Sequence, residues 1–137
     1  MLKVNEIYYS IQGESTAAGL PCVFIRLTYC NLRCTYCDTE YAFYDGKDMA
    51  ISAIINEVKK FECKLVEITG GEPLVQVEEC LDLMKQLGDE RFKVLIETGG
   101  SLPINLCVIR KQFPKTIVYL SVFIDIRCDS LINGINN

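Results

Sequence analysis

The chain has 137 residues, a formal net charge of −4, eight cysteines and no histidine. That length makes one domain of ordinary size with a core of its own, and an acidic balance without a Lys/Arg-rich stretch speaks against a nucleic-acid surface. No apolar run nears the roughly 20 residues that span a bilayer: the longest, Ile117 to Ile126, is broken by Ser121 and Asp125 and followed by Arg127. The opening residues do not read as an export leader, so a reducing cytoplasm is the expected location.

In chain order, Val23 to Leu27 reads as a short buried strand that runs into a cysteine-rich loop. Asp45 and Asp48 flank Gly46 in what reads as a solvated turn. Ile51, Ile54, Ile55 and Val58 fall at i, i+3, i+4 and i+7, an amphipathic helix that should run to about Phe61. Leu65 to Thr69 is the next strand, ended by Gly70-Gly71-Glu72-Pro73. Cys80, Leu81, Met84 and Leu87 form a second helical stripe, with Gly88 in the place of a C-cap. Val94 to Thr98 is a third strand ending at Gly99 and Gly100. Leu106, Ile109 and Phe113 suggest a short helix, and Ile117 to Leu120 a fourth strand. Strand, loop and helix in succession predict a parallel α/β sheet, either an incomplete barrel or an open doubly wound sheet.

The loop after the first strand reads Cys30-Asn31-Leu32-Arg33-Cys34-Thr35-Tyr36-Cys37, a C-x3-C-x2-C spacing. Three thiolates on one loop can hold three irons of a [4Fe–4S] cube and leave the fourth open to a small chelating molecule, whereas a protein-closed cluster takes four cysteines. Two plainer readings stand beside it. Zinc would need a fourth thiolate, from Cys22 or Cys63, because no histidine is present. A disulfide framework suits an even cysteine count but not a chain with a real apolar core. Cys22, Cys63, Cys80, Cys107 and Cys128 lack ligand spacing and read as small buried hydrophobes.

Parallel α/β sheets collect ligands at the C-terminal ends of their strands. Here those ends carry the cysteines, Thr69-Gly70-Gly71-Glu72-Pro73 and Glu97-Thr98-Gly99-Gly100-Ser101. Glycine there lets a ligand approach the backbone, whose N–H groups can take a carboxylate.

These motifs together resemble the radical S-adenosylmethionine (SAM) superfamily, which implies a [4Fe–4S] cluster on Cys30, Cys34 and Cys37 with SAM on the open iron. Tyr36, Cys37 and Asp38, with Gly70, Gly71 and Glu72, match stretches that contact SAM in that superfamily. Adding Ser10-Ile11-Gln12-Gly13-Glu14 and Cys37-Asp38-Thr39, the chain resembles the 7-carboxy-7-deazaguanine synthase family. The resemblance implies a Mg2+-dependent radical ring contraction of 6-carboxy-5,6,7,8-tetrahydropterin, with loss of ammonia, toward queuosine and related deazapurines. It also implies a partial parallel (β/α) barrel, a flavodoxin- or ferredoxin-type electron donor, and a homodimer. Ile11, Gln12, Gly13 and Thr69 would contact the pterin, Arg26 its carboxylate, and Thr39 the Mg2+. A guanidinium fork suits a carboxylate, and Mg2+ accepts a lone protein hydroxyl because it keeps several waters.

Two other functions share some of these features. A glycyl-radical activating protein has the same cysteine spacing, and a non-catalytic iron–sulfur or zinc domain needs only the loop. The resemblance runs from about Val4 to Ser101 and weakens over 102–137, within one radical SAM core domain spanning 1–137. Family members are longer, which implies a chain shortened at its C-terminal side. Glu14-Ser15 stands where the family has glutamate-glycine, and Asp125 and Arg127 are faint counterparts of the family's later ligand-binding residues.

Overall fold

In the computed structural model, residues 1–103 and the strand at 117–120 are described. Six strands, β1 (Leu2–Ile11), β2 (Pro21–Leu27), β3 (Lys47–Met49), β4 (Leu65–Gly70), β5 (Lys93–Thr98) and β6 (Ile117–Leu120), form one sheet in the order β3-β1-β2-β4-β5-β6. Helix α1 (Ile51–Lys59) leads into β4, and α2 (Val77–Asp89) joins β4 to β5. From β2 through β6 the pairing is parallel, while β1 runs antiparallel to both β2 and β3. The sheet is therefore mixed, which corrects the expectation of a purely parallel sheet beginning at Val23.

The physical reason that β1 escapes a pattern search lies at Asn5. Val4 pairs with Leu27 but Glu6 pairs with Arg26, so one residue of β1 is extra, a β-bulge. Before the bulge, Leu2 and Val4 face the helices; after it, Ile7 does, and Glu6 and Tyr8 face away. Alternation is broken in the middle of a ten-residue strand, and neither half is long enough to read alone. Asp48 also departs from expectation. It lies in β3, an edge strand, and pairs with Lys3 at 3.3 Å instead of sitting in a free turn.

Both helices form where the periodicity placed them. α1 buries Ile54, Ile55 and Val58. α2 buries Cys80, Leu83, Met84 and Leu87, with Glu78 and Glu79 in its first turn, where acidic charge suits the helix dipole. Gly88 is not the C-cap. It lies inside α2, and the chain turns at Arg91, whose φ is 65°, after Arg91 donates its N–H to the Gly88 carbonyl at 3.0 Å. The predicted helix at Leu106, Ile109 and Phe113, and Cys107, Asp125, Arg127 and Cys128, lie outside the described residues.

Both helices pack on the same face of the sheet, against Val23, Ile25, Leu27, Val66, Ile68, Val94 and Ile96. Fully burying side chains of this size stabilises by roughly 1.5–3 kcal/mol each. Among the described residues no helix of eight or more residues covers the other face, which removes the doubly wound alternative there. That face is apolar toward the start of the parallel strands, where Ala17, Cys22, Phe24, Leu65 and Leu95 cluster, and polar toward their C-terminal ends.

Candidate active site at the ends of the parallel strands

Strand register builds the polar end of the open face. Glu6 stands opposite Arg26, and Arg26 opposite Thr69. The side chains bond across the strands in a row: Arg26 Nε donates to Glu6 Oε1 at 2.8 Å, and Thr69 Oγ1 donates to Glu97 Oε2 at 2.8 Å. The Arg26 guanidinium also donates to the Tyr8 hydroxyl at 2.8 Å and lies within 6 Å of the Tyr8 and Tyr41 rings. Tyr8 is itself fixed by stacking on Phe24. Arg26 is thus pinned on one side, with its planar fork held in the row of polar groups.

Beneath this row lies Glu67, only 4% exposed, which accepts a hydrogen bond from the Gln12 amide. Burial, then the neighbouring Glu97 charge, pushes the Glu67 carboxyl up to about 7, against the lowering effect of Gln12. Nothing in the sequence reading singled out Glu67. The available signal was a charged residue inside the otherwise apolar run Leu65-Val66-Glu67-Ile68, at a position that must be buried if the strand is central.

Gln12 is 3% exposed and its amide is engaged at both ends, by Glu67 and by the Glu14 N–H at 3.0 Å. Its main chain closes the 12–20 loop through Leu20 and Gly19. Gln12 therefore scaffolds the loop, while Ile11 and Gly13 on either side of it are exposed.

The cysteine loop leaves the end of β2. Tyr29 has φ 78°, in the left-handed region that a bulky residue enters only when its surroundings enforce it. Two bonds do so: its N–H donates to the Ala42 carbonyl at 3.1 Å, and its carbonyl accepts from the Glu72 N–H at 2.8 Å. The second bond joins the loop directly to the turn after β4. There Gly70 has φ 142°, and a Cβ on Gly71 would overlap the Tyr29 carbonyl and stand 2.8 Å from Cys30 Cβ. Only glycine fits this approach.

Glu72 is fully buried, and its carboxylate is satisfied inside the protein. One oxygen accepts from Leu74 N–H at 3.0 Å and Thr98 Oγ1 at 2.7 Å, the other from Gly99 N–H at 2.8 Å. It therefore ties the end of β4 to the end of β5. Cys30, Cys34 and Cys37 are free and partly exposed on one short loop, with Cys37 N–H bonded to the Cys34 carbonyl at 3.2 Å. Burial raises the Cys30 thiol, and the Leu32 N–H, 3.4 Å from its sulfur, works against that. Thr39 follows, its Oγ1 3.8 Å from Cys37 Sγ, and Asp38 and Tyr36 are exposed beside it. Cys22 and Cys80 are buried, and burial pushes each thiol up to about 12; Cys63 is partly exposed.

The donor set fits an iron–sulfur cube. Three free, partly exposed thiols on one short loop offer one thiolate to each of three irons. Fold and loop together define an α/β domain with a three-cysteine loop at the C-terminal ends of its parallel strands. The radical SAM superfamily matches residues 24–124, and the chain belongs to that superfamily. Its members use a [4Fe–4S] cluster and SAM.

Among individual proteins, the chain is similar to the 7-carboxy-7-deazaguanine synthase of Koribacter versatilis, 44% identical over 93% of this chain and 53% of that one. The synthase of Chlorobaculum tepidum is 49% identical over 76% of this chain and 47% of its own length. The crystal structure of QueE from Escherichia coli superposes with a TM-score of 0.73 at 25% identity, over 88% of this chain and 59% of that one. The chain spans about half the length of the curated relatives it matches. No helix among the described residues is long and apolar enough to cross a membrane.

Proposed function

We propose that this chain carries the cluster-bearing part of a 7-carboxy-7-deazaguanine synthase, acting on 6-carboxy-5,6,7,8-tetrahydropterin. One observation carries the reading: the Glu6–Arg26–Thr69–Glu97 row lies on the sheet face opposite helices α1 and α2, at the same strand ends from which the cysteine loop departs. A flat, polar heterocycle with a carboxylate suits that row, with Arg26 on the carboxylate and Thr69 and Glu97 on ring nitrogens and oxygens. Gly13 would approach it from the loop that Gln12 holds, whereas Ile11 stands opposite Pro21 at the start of β2. Cys30, Cys34 and Cys37 would hold the cluster, and Tyr36, Cys37, Asp38, Gly70 and Gly71 would face SAM. Glu72, matched to a SAM-binding stretch, supports that site by fixing the turn from behind. When bound, the cluster and SAM supply the one-electron chemistry that starts the ring contraction.

In this reading the sheet is part of a (β/α) barrel wall, helices outside and polar face inside. Thr39 gives its hydroxyl to Mg2+, which needs few protein ligands. A flavodoxin- or ferredoxin-type reductant, a homodimer and a cytoplasmic setting complete it.

Turnover of the carboxypterin by anaerobically reconstituted protein tests the proposal, with about four irons per chain expected. Cys34→Ala should lose cluster and SAM cleavage together. Thr39→Ala should keep its iron while turnover and the Mg2+ response fall. A Cys34→Ala protein with normal iron content would overturn the cluster assignment, and a chain that cleaves SAM but never turns over the pterin would overturn the substrate.

A further inference from the structure

Arg33 lies between the first two loop cysteines and has no part in the reading above. It is the only Lys or Arg from Thr28 to Gly46. Its Nη1 donates to two carbonyls of the loop, Cys30 O at 2.9 Å and Leu32 O at 2.6 Å. Its guanidinium carbon lies 4.3 Å from the centroid of the Phe43 ring and 5.9 Å from that of Tyr44. Phe43 is buried in the short 3-10 turn Glu40–Phe43, on the far side of the cysteines. The side chain thus bridges the start of the loop to the turn that closes it. None of the ion pairs among the described residues uses it.

The loop is also tied by Asn31 Nδ2, which donates to Ser101 Oγ at 3.0 Å, and by the Leu32 N–H, 3.4 Å from Cys30 Sγ. Between Cys30 and Thr39 the described main-chain bonds are Cys37 N–H to Cys34 O and Ala42 N–H to Thr39 O. Three thiolates around an iron–sulfur core leave a net negative charge, and reduction adds one more. A cation fixed on the loop favours the reduced form.

We propose that Arg33 is a positioning residue for the iron–sulfur cluster, clamping the turn between the Cys30 and Cys34 thiolates and raising the cluster's midpoint potential through its charge. The inference rests on the reading that Cys30, Cys34 and Cys37 hold the cluster. Lysine keeps the charge but lacks the planar fork that bonds two carbonyls and stacks on a ring. Glutamine loses both. The two substitutions therefore separate clamp from charge.

The experiment uses reconstituted full chain and two readouts that need no substrate: iron retained during anaerobic incubation with a chelator, and midpoint potential by spectroelectrochemistry. Arg33→Lys should release iron about ten-fold faster or more, the loss expected for a displaced charge-assisted hydrogen bond, at an unchanged potential. Arg33→Gln should release iron as fast and shift the potential to more negative values. Arg33→Lys retaining iron like the parent overturns the clamp, and Arg33→Gln with the parent's potential overturns the charge effect. A parent that takes up no cluster overturns the cluster assignment and this proposal with it; a parent with a full cluster and unchanged variants overturns this proposal alone.

Discussion

At the scale of single residues, the carboxylates divide into two kinds. Glu72 is buried, with three protein donors around its carboxyl oxygens. A glutamine in its place would present an amide NH2 where the protein offers only donors. Glu72→Gln should therefore cost roughly 2–4 kcal/mol, read as a lower denaturant midpoint in the metal-free protein. Among the described residues Glu67 has a single side-chain donor, the Gln12 amide, and its carboxyl is raised from 4.5 to about 7 by burial and by Glu97. Between those values the folded state keeps a proton that the unfolded chain has lost, so stability falls as pH rises through that window and levels off above it. Glu67→Gln, a neutral isostere able to accept from Gln12, should flatten the slope. Relative to the parent it should gain of order 2 kcal/mol between pH 5 and pH 8, measured by urea unfolding at each pH. Equal slopes in both proteins would show that Glu67 is ionised throughout. Of these residues, the sequence disclosed the ones that sit in motifs. The family resemblance singled out Arg26 and Thr69, and the structure brings them into one row. Glu67 was not singled out, because a lone acid in an apolar run acquires meaning only once the strands on either side of it are known.

Among the elements, those whose pattern matches a single period were readable, and the others were hidden by local geometry. α1, α2, β4 and β5 follow uninterrupted stripes and stand within a few residues of where periodicity placed them. The end of α2 was misplaced because a glycine near a helix end resembles a cap, whereas Arg91 takes the left-handed position. Substitution separates the two roles. At Gly88 an added Cβ meets nothing within 4 Å and φ is not positive, so Gly88→Ala should stabilise the protein by about 0.5–1 kcal/mol. Were Gly88 a left-handed cap, the same change would destabilise. Gly71→Ala has the reverse expectation. Its Cβ collides with the Tyr29 carbonyl and Cys30, so the cysteine loop must shift. The variant should bind iron poorly after reconstitution while its far-UV circular dichroism stays that of the parent.

At the scale of the whole molecule the sequence conveyed an α/β sheet, and the placement of both α1 and α2 on one face of it emerged from the structure. Both faces of the sheet carry large apolar side chains, Phe24, Leu65 and Leu95 on one and Val23, Ile25 and Ile68 on the other, so composition alone does not say which face meets helices. Within the described sheet β6 is terminal, paired with β5 on one side. An apolar strand with a free edge tends to recruit another chain, most simply as a two-fold dimer. Sedimentation velocity over a hundred-fold concentration range should show a concentration-dependent shift toward dimer. A compact monomer throughout would mean that the edge is covered from within the chain.

The extra residue at Asn5 bears on how such a gene can change. A missense codon there exchanges one partly buried side chain that bonds the Asp45 carbonyl. Loss of the whole codon is a different event. With the bulge removed, one half of β1 must slide by a position against β2, carrying Glu6 and Tyr8 toward the helices or Leu2 and Val4 toward the open face. A scan of all substitutions and single-codon deletions across the first strand should find position 5 permissive to the former and intolerant of the latter. Descendants of this gene should accumulate spelling changes at this position while preserving the reading length between Met1 and Arg26.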